Sequence, residues 1–203
     1  MIRLSPVCFI TPEACDIIAL EETVFSVLEA GIRLIQYRDK DRTAREIYAA
    51  ALRLREITNL YNARLIINDR ADIALAVDAD GVHLGQDDLP LEEARTIMGD
   101  RIIGISTHNV REAVEAEQGG ADYIGFGSIF HTTTKDVGAL QGVGAVRAVK
   151  DAVGIPVIAV GGIKIENAKS VFGAGAYGIA VSSGISSGNP RENAARFLAL
   201  KNE

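Results

Sequence analysis

The sequence has few cysteines, no surplus of positive charge and no long apolar run, and each absence excludes a class of protein. Two cysteines, Cys8 and Cys15, among 203 residues are too few for a disulfide framework, so we expect a cytoplasmic protein. The net charge of −6 argues against non-specific nucleic-acid binding, which requires a basic surface. Neither an apolar run of membrane-spanning length nor an apolar signal segment is present, so we expect no membrane association.

The chain also lacks a linker, a low-complexity tract and a long run of one charge. Hydrophobic residues make up 48% of the sequence and charged residues 24%, a composition typical of a soluble globular protein. The length is enough for one domain with a sizeable core. We therefore predict a single domain over residues 1–203.

Short apolar runs alternate with helical patterns along the whole chain. The eight runs are Val7–Ile10, Ile32–Tyr37, Leu65–Ile67, Val82–Leu84, Ile102–Ile105, Tyr123–Phe126, Pro156–Val160 and Gly178–Val181. They are continuous rather than alternating, which indicates strands covered on both faces. Units of about 25 residues at even spacing predict a compact α/β fold, the (β/α)₈ TIM barrel. A doubly wound open sheet is the main alternative, but the even spacing favours closure.

The helical patterns carry their own signals. On the second helix, apolar residues recur at helical spacing at Ile47, Ala50, Ala51, Leu54 and Ile57. Asn109 is predicted to cap the fifth helix, with Val110, Ala113 and Val114 on its apolar side. Asn189-Pro190 is predicted to begin the last helix, with Ala194, Ala195 and Leu198 facing inward.

In such a barrel the chemistry is expected in the segments that follow the strands. Asp69 follows the third strand and Asp88 the fourth, and these two strands must be parallel neighbours because a helical segment joins them. Two carboxylates at one sheet edge predict a site for Mg²⁺, which prefers oxygen ligands. The alternative is that both aspartates cap the helices that follow them.

The other strand ends divide into two groups. Gly161-Gly162 and Ser182-Ser183-Gly184 follow strands seven and eight, where barrels of this kind bind phosphate through backbone N–H groups; glycines that serve only as turn residues are the alternative. A metal-bridged polyphosphate would be suited by the cations Arg38, Lys40 and Lys135 together with the two aspartates. The alternative is that these residues form only surface salt bridges. Two phosphate-bearing substrates are predicted.

The three histidines, His83, His108 and His131, lack the paired spacing of a zinc site. His83 lies inside a predicted strand and could be a hydrogen-bonded core residue, whereas His108 and His131 lie in loops at the predicted mouth. We assign none of them to catalysis.

Several sequence words together resemble the thiamine-phosphate synthase family over nearly the whole chain. They are QYRDK at 36–40, INDR at 67–70, DGVHLGQDD at 80–88, GADYIGFG at 120–127, IPVIAVGGI at 155–163 and the T-x-T-K of Thr132, Thr134 and Lys135. Each word is modest alone, but their order and spacing are highly specific.

The resemblance implies an enzyme of thiamine biosynthesis that joins an amino-bearing hydroxymethylpyrimidine diphosphate to a thiazole phosphate and releases pyrophosphate. It implies that Asp69 and Asp88 bind Mg²⁺ and that Arg38, Lys40, Lys135 and Ser106 assist the reaction. The pyrimidine diphosphate would be held by Gln36, Tyr37, Arg38, Asp39, Lys40, Asn68, Ser106 and Lys135. The thiazole phosphate would be held by Thr132, Thr133, Thr134, Gly162, Ser182 and Ser183.

Two other functions stay open at this point. A related thiazole tautomerase resembles this barrel but carries a catalytic histidine where this chain has Ser128. A catalytically silent paralogue that binds thiamine-related ligands is the other, although it would have little reason to keep Asp69 and Asp88. The sequence leaves open whether the barrel forms a homo-oligomer.

Overall fold

The computed structural model describes residues 4–13, 16–131 and 140–201. Within these ranges the strands are β1 (Val7–Ile10), β2 (Leu34–Tyr37), β3 (Arg64–Asn68), β4 (Gly81–Leu84), β5 (Ile102–Thr107), β6 (Tyr123–Phe126), β7 (Val157–Val160) and β8 (Gly178–Val181). The helices are α1 (Ile17–Glu29), α2 (Ala44–Leu60), α3 (Ala71–Ala76), α4 (Leu91–Met98), α5 (Val110–Gln118), α6 (Gly142–Ala152), α7 (Ile165–Gly173), α8 (Ser183–Ser186) and α9 (Pro190–Ala199).

The eight strands form a closed parallel barrel. Each strand pairs with the next along the chain, and β1 closes the ring by pairing with β8. This confirms the predicted (β/α)₈ fold and rules out the open sheet. All eight predicted strands are present, and the predicted ends differ from the observed ones by at most two residues.

The core has two layers, because successive side chains of a barrel strand point to opposite faces. The larger layer packs between the sheet and the helices and includes Phe9, Leu65 and Phe126. The smaller layer draws its strand residues from the alternate positions and fills the inside of the barrel. Its members are Leu4, Cys8, Leu34, Ile66, Ile102, Tyr123, Ile158 and Ala180.

The helices begin where the sequence predicts. Asn109 accepts a hydrogen bond from the Glu112 N–H, and Asn189 accepts one from the Glu192 N–H with Pro190 in the first turn. The five apolar residues predicted on α2 are all buried. Two expected inward residues, Val110 and Ala195, are instead exposed, because each lies on the solvent side of its helix. Among the described residues, no helix combines the length and apolar character needed to cross a bilayer.

Gly81 is required where β4 approaches β5. It is paired with Ile102, and a Cβ at this position would lie 2.6 Å from the Cβ of Ile102 and closer still to its carbonyl oxygen. The obstructing atoms belong to the neighbouring strand itself, so a rotamer change cannot relieve the overlap.

We predict that Gly81→Ala lowers the free energy of unfolding by about 1–3 kcal/mol or more, because the added methyl group overpacks the sheet. Gly144→Ala is the matched control: Gly144 lies within α6 with no atom within 4 Å of an added Cβ, and alanine favours helix, so this variant should be as stable as the wild type or more stable. Urea unfolding measures both. Equal stabilities of the two variants would contradict this account of the β4–β5 contact.

Candidate active site

Asp69 and Asp88 lie together at the carboxyl ends of β3 and β4. The Asp69 N–H donates to the carbonyl oxygen of His83 at 2.8 Å, which ties the end of β3 to β4. The Asp88 carboxylate accepts a hydrogen bond from the Gly85 N–H at 2.6 Å. Nζ of Lys40 lies 3.0 Å from Oδ2 of Asp69. One cation and two carboxylates therefore share this corner of the barrel mouth.

Neither aspartate caps a helix, so the capping alternative is wrong. α3 begins after Arg70 and α4 after Pro90, and neither of these residues makes a side-chain cap. Asp69 instead has a φ of 61°, a left-handed conformation that aspartate tolerates better than most residues. Such backbone strain is common where a side chain is held for function.

The Asp88 carboxyl is affected by its surroundings at this corner. The pKa of Asp88 is raised because the side chain is partly buried and because the Asp69 carboxyl lies within hydrogen-bond reach, while the charge of Lys40 acts in the opposite direction. Two carboxylates brought this close favour a shared proton or a bound cation. Within the described ranges there is no cluster of three or more acidic, histidine or cysteine ligands. Two carboxylates suit Mg²⁺, which completes its shell with water and substrate phosphates.

Gln36 and Asn68 form a second polar pair on neighbouring strands. The Gln36 side-chain amide donates to Oδ1 of Asn68 at 2.8 Å, and Gln36 is 5% exposed. Among the described residues, neither the side-chain oxygen Oε1 of Gln36 nor the side-chain nitrogen Nδ2 of Asn68 takes part in a hydrogen bond. The pair thus presents one acceptor and one donor for a ligand.

Arg38 is held by a residue that the sequence analysis did not single out. Its guanidinium pairs with the carboxylate of Glu13, which follows β1, and both side chains are mostly buried. Thr11 joins the same segments, because its hydroxyl accepts from the Arg38 N–H at 3.0 Å. The only signal in the sequence for Glu13 is its position just after a strand, since the pairing itself is between distant segments.

Ser106 lies at the end of β5 beside a buried histidine. Its hydroxyl is 2.9 Å from Nε2 of His83, and Nδ1 of His83 is 3.0 Å from the Tyr123 hydroxyl. Gln86 donates to the Ser106 carbonyl oxygen at 2.6 Å. His83 is therefore a hydrogen-bonded core residue, whereas His108 contacts Glu112 at the start of α5.

Tyr37 and Asp39 do not join the predicted ligands. Tyr37 is 2% exposed and packs in the layer between sheet and helices, because Gln36 takes the inward position on β2. Burial, followed by the charge of Asp39, raises the pKa of Tyr37 to about 12. The Asp39 carboxylate accepts hydrogen bonds from the Asp41 N–H and from the Arg42 backbone and side chain, so it shapes the loop that carries Lys40.

The segments after β7 and β8 lie side by side with the segment after β6. The Phe130 N–H donates to the Gly161 carbonyl oxygen at 3.0 Å. A Cβ at Gly162 would lie 2.9 Å from the Phe130 carbonyl carbon, and Gly162 has a φ of 61°. This close approach requires glycine, so Gly162 has a turn role whether or not it binds phosphate.

Ser182 and Ser183 begin the four-residue helix α8. The first hydrogen bond of this turn runs from the Ile185 N–H to the Ser182 carbonyl oxygen. The N–H groups of Ser183 and Gly184 precede it and are not used by the helix. Thr132, Thr133, Thr134 and Lys135 lie outside the described residues, and the exposed His131 is the last described residue before them.

A surface groove of about 950 Å³ lies at the other end of the barrel, where the strands begin. Its polar groups are used within the fold: Asp80 accepts hydrogen bonds from Arg55 and from the Leu65 N–H at 2.5 and 2.8 Å. The chemistry therefore collects at the mouth and not at this groove.

The chain is similar in sequence to proteins of one enzyme family. A family described as "Thiamine monophosphate synthase" matches residues 7–185. The chain is 46% identical over 183 residues to the thiamine-phosphate synthase of Clostridium novyi, with 89% of this chain and 90% of that protein covered. It is 53% identical over 161 residues to the thiamine-phosphate synthase of Methanospirillum hungatei, with 78% of each covered.

A structural comparison gives the same result. The thiamine phosphate pyrophosphorylase of Pyrococcus furiosus superposes with a TM-score of 0.88 and 38% identity, and 97% of this chain and 95% of that chain are covered. The names of this solved structure and of the two relatives above all refer to thiamine phosphate.

We predict that Tyr37→Phe raises the free energy of unfolding by about 1–3 kcal/mol, because it removes a buried hydroxyl without a hydrogen-bond partner among the described residues. Tyr177→Phe is the matched control, since the Tyr177 hydroxyl bonds to both the N–H and the carbonyl of Leu4 and its removal should lower stability. Thermal and urea unfolding compare the two. A less stable Tyr37→Phe variant would contradict the assignment of Tyr37 to the core.

Proposed function

The chain belongs to the thiamine monophosphate synthase family, and we propose that its barrel mouth binds Mg²⁺ and the pyrimidine diphosphate at the ends of β2 to β5. The chain is a transferase of thiamine biosynthesis that joins the pyrimidine diphosphate to a thiazole phosphate and releases pyrophosphate. The observation that carries the proposal is the contact of Lys40, Asp69 and Asp88.

Asp69 and Asp88 fit a divalent cation. Their oxygens converge without a third acidic partner in the described part of the chain, and Lys40 balances one of the two charges. When bound, Mg²⁺ would neutralise diphosphate oxygens and stabilise the departing pyrophosphate. Lys40 is about half exposed, so its ammonium group is free to leave Asp69 and contact a phosphate oxygen at the same place.

Arg38 follows β2 and Ser106 lies on β5, so the two residues lie on either side of the corner formed at the ends of β3 and β4. Glu13 holds the Arg38 guanidinium, and a guanidinium that is already oriented binds a phosphate oxygen with less loss of side-chain entropy. Ser106 adds a hydroxyl at the end of β5. Together with Lys40, these groups stabilise negative charge where it develops as pyrophosphate departs.

Gln36 and Asn68 are suited to the pyrimidine ring. An amino group beside a ring nitrogen offers one donor and one acceptor, which is complementary to the Gln36 carbonyl oxygen and the Asn68 amide N–H. A site built to hydrogen-bond the amino group in this way discriminates against rings that lack it.

The thiazole phosphate is assigned to the mouth near β7 and β8. The N–H groups of Ser183 and Gly184, together with the turn at Gly162, offer backbone donors of the kind that bind phosphate. By the family resemblance, Thr132, Thr133, Thr134 and Lys135 complete this side. The two substrates would then meet across the barrel axis.

The reaction needs positioning more than a protein nucleophile. The bond between the pyrimidine methylene carbon and pyrophosphate breaks, and the leaving group takes the electron pair. The thiazole nitrogen supplies the pair for the new carbon–nitrogen bond. Holding both substrates in line is itself a large contribution to the rate.

A cytoplasmic location is consistent with the biosynthetic role, and the oligomeric state stays open. The tautomerase and the silent paralogue are distinguished from the synthase by a test of product formation, because neither of them releases pyrophosphate.

We predict that pyrophosphate is released only when both substrates and Mg²⁺ are present. Asp69→Asn and Asp88→Asn should each lower kcat/KM by about a hundredfold or more, because each removes a charged ligand from the cation. Asparagine is preferred to alanine at position 69 because it also tolerates the left-handed backbone. A coupled phosphate assay measures the release.

The matched control is Asp72→Asn. Asp72 lies near Asp69 in sequence but pairs with Arg70 at the surface with its side chain 64% exposed, so kcat/KM should stay within about twofold of the wild type. Metal-independent release, or full activity in the Asp69 and Asp88 variants, would refute the proposed metal site. No release from the wild type would refute the synthase function.

A further inference from the structure

A chain of three polar side chains crosses the inside of the barrel from β6 to the mouth. The Tyr123 hydroxyl lies 3.0 Å from Nδ1 of His83, and Nε2 of His83 lies 2.9 Å from Oγ of Ser106. Tyr123 is 2% exposed and His83 is 7% exposed. Of these three hydrogen-bonded side chains, only Ser106 is open to the mouth.

Two glycines make room for this chain. A Cβ at Gly104 would lie 2.5 Å from the Tyr123 hydroxyl oxygen, and a Cβ at Gly125 would lie 2.9 Å from Cε1 of His83. Both glycines occupy inward positions on neighbouring strands, where any other residue would displace a ring. The barrel is thus built around these two rings and holds them in contact.

Two proton arrangements are compatible with the distances, since a neutral imidazole carries its proton on either nitrogen. In the first, Tyr123 donates to Nδ1, and Nε2–H donates to Ser106. In the second, Nδ1–H donates to Tyr123, and Ser106 donates to Nε2. In the first arrangement the Ser106 O–H is available to a ligand at the mouth. In the second, the O–H is used by His83 and only lone pairs of the Ser106 oxygen face the mouth.

Burial selects the first arrangement. Within residues 4–13, 16–131 and 140–201, the Tyr123 hydroxyl has no hydrogen-bond partner except His83. The second arrangement would leave the buried Tyr123 O–H without an acceptor, and an unsatisfied buried donor is strongly unfavourable. Burial also raises the pKa of Tyr123 well above its usual value, so the hydroxyl keeps its proton.

We propose that Tyr123 and His83 are positioning residues that fix Ser106 as a hydrogen-bond donor toward the diphosphate of the pyrimidine substrate. Nε2–H of His83 occupies a lone pair of the Ser106 oxygen, which leaves the serine proton for an anion. The opposite arrangement would point a lone pair at the phosphate and repel it. This inference rests on the proposed function, which places the diphosphate beside Ser106.

The proton arrangement is measured directly by two-dimensional ¹H–¹⁵N spectra of the histidine rings in the full-length protein. Because the chain has three histidines, the variants His108→Gln and His131→Gln identify the His83 signals by elimination. We expect a neutral His83 with its proton on Nε2. A proton on Nδ1, or on both nitrogens at neutral pH, would overturn the inference.

A double-mutant cycle tests whether Tyr123 acts through Ser106. Tyr123→Phe removes the donor, so it should lower kcat/KM for the pyrimidine diphosphate by about tenfold in the wild-type background. In the Ser106→Ala background the same change should have an effect of less than about twofold, since the serine through which it acts is already absent. Equal effects in the two backgrounds would show a merely structural role and overturn the inference.

Tyr177→Phe is the control for the loss of a buried tyrosine hydroxyl. Tyr177 bonds to Leu4 near the start of β1, far from the mouth, so its variant should lose stability without a change in kcat/KM. If the wild type forms no thiamine phosphate, the proposed function fails. The spectra still decide the proton arrangement in that case, so the two failures are distinguishable.

Discussion

The register of β3 against β4 is the constraint on which the site depends. Asn68 pairs with His83 in this register, which places Asp69 beside the turn that carries Asp88. Two carboxylates are thereby brought into contact at the sheet edge, and their repulsion must be balanced. Lys40 and the Gly85 N–H supply part of that balance within the fold. A divalent cation would supply the remainder in the proposed complex.

The inside of the barrel changes from apolar to polar along the strand direction. Leu34, Ile66 and Ile102 fill the lower interior, and two residues further along β2 and β3 the inward positions are Gln36 and Asn68. On β5 and β6 the inward positions include Gly104 and Gly125, which admit the rings of Tyr123 and His83. The apolar layer packs the lower interior. The side chains of the polar layer above it hold one another in place through hydrogen bonds. The polar side chains at the mouth therefore rest on the packed interior of the barrel.

Much of this could be predicted from the sequence because it follows from local rules. Continuous apolar runs at even spacing give a parallel barrel, and a barrel brings all strand ends to one rim. Asp69 and Asp88 could be placed together on that basis alone. The assignment of Tyr37 was wrong as to its side chain, although the alternation of a strand already predicts that Gln36 and Tyr37 face opposite sides.

The rest depends on contacts between distant segments. Glu13 reaches Arg38 only because β1 and β2 are neighbours, and no sequence pattern near position 13 predicts this ion pair. Tyr123 lies forty residues from His83, and its role is visible only when the space beside Gly104 is known. The left-handed backbone at Asp69 is set by the turn after β3. Because no glycine stands at this position, the sequence does not indicate the conformation. Sequence patterns thus located the rim of the site, and the packing defined its interior.

The most direct test of the central claim is a crystal structure of the chain with Mg²⁺ and inorganic pyrophosphate. The account predicts the ion on carboxylate oxygens of Asp69 and Asp88, with the pyrophosphate bound to it and Lys40 turned from Asp69 to a phosphate oxygen. Pyrophosphate bound at the mouth without a metal on these two aspartates, or a metal bound elsewhere, would contradict it.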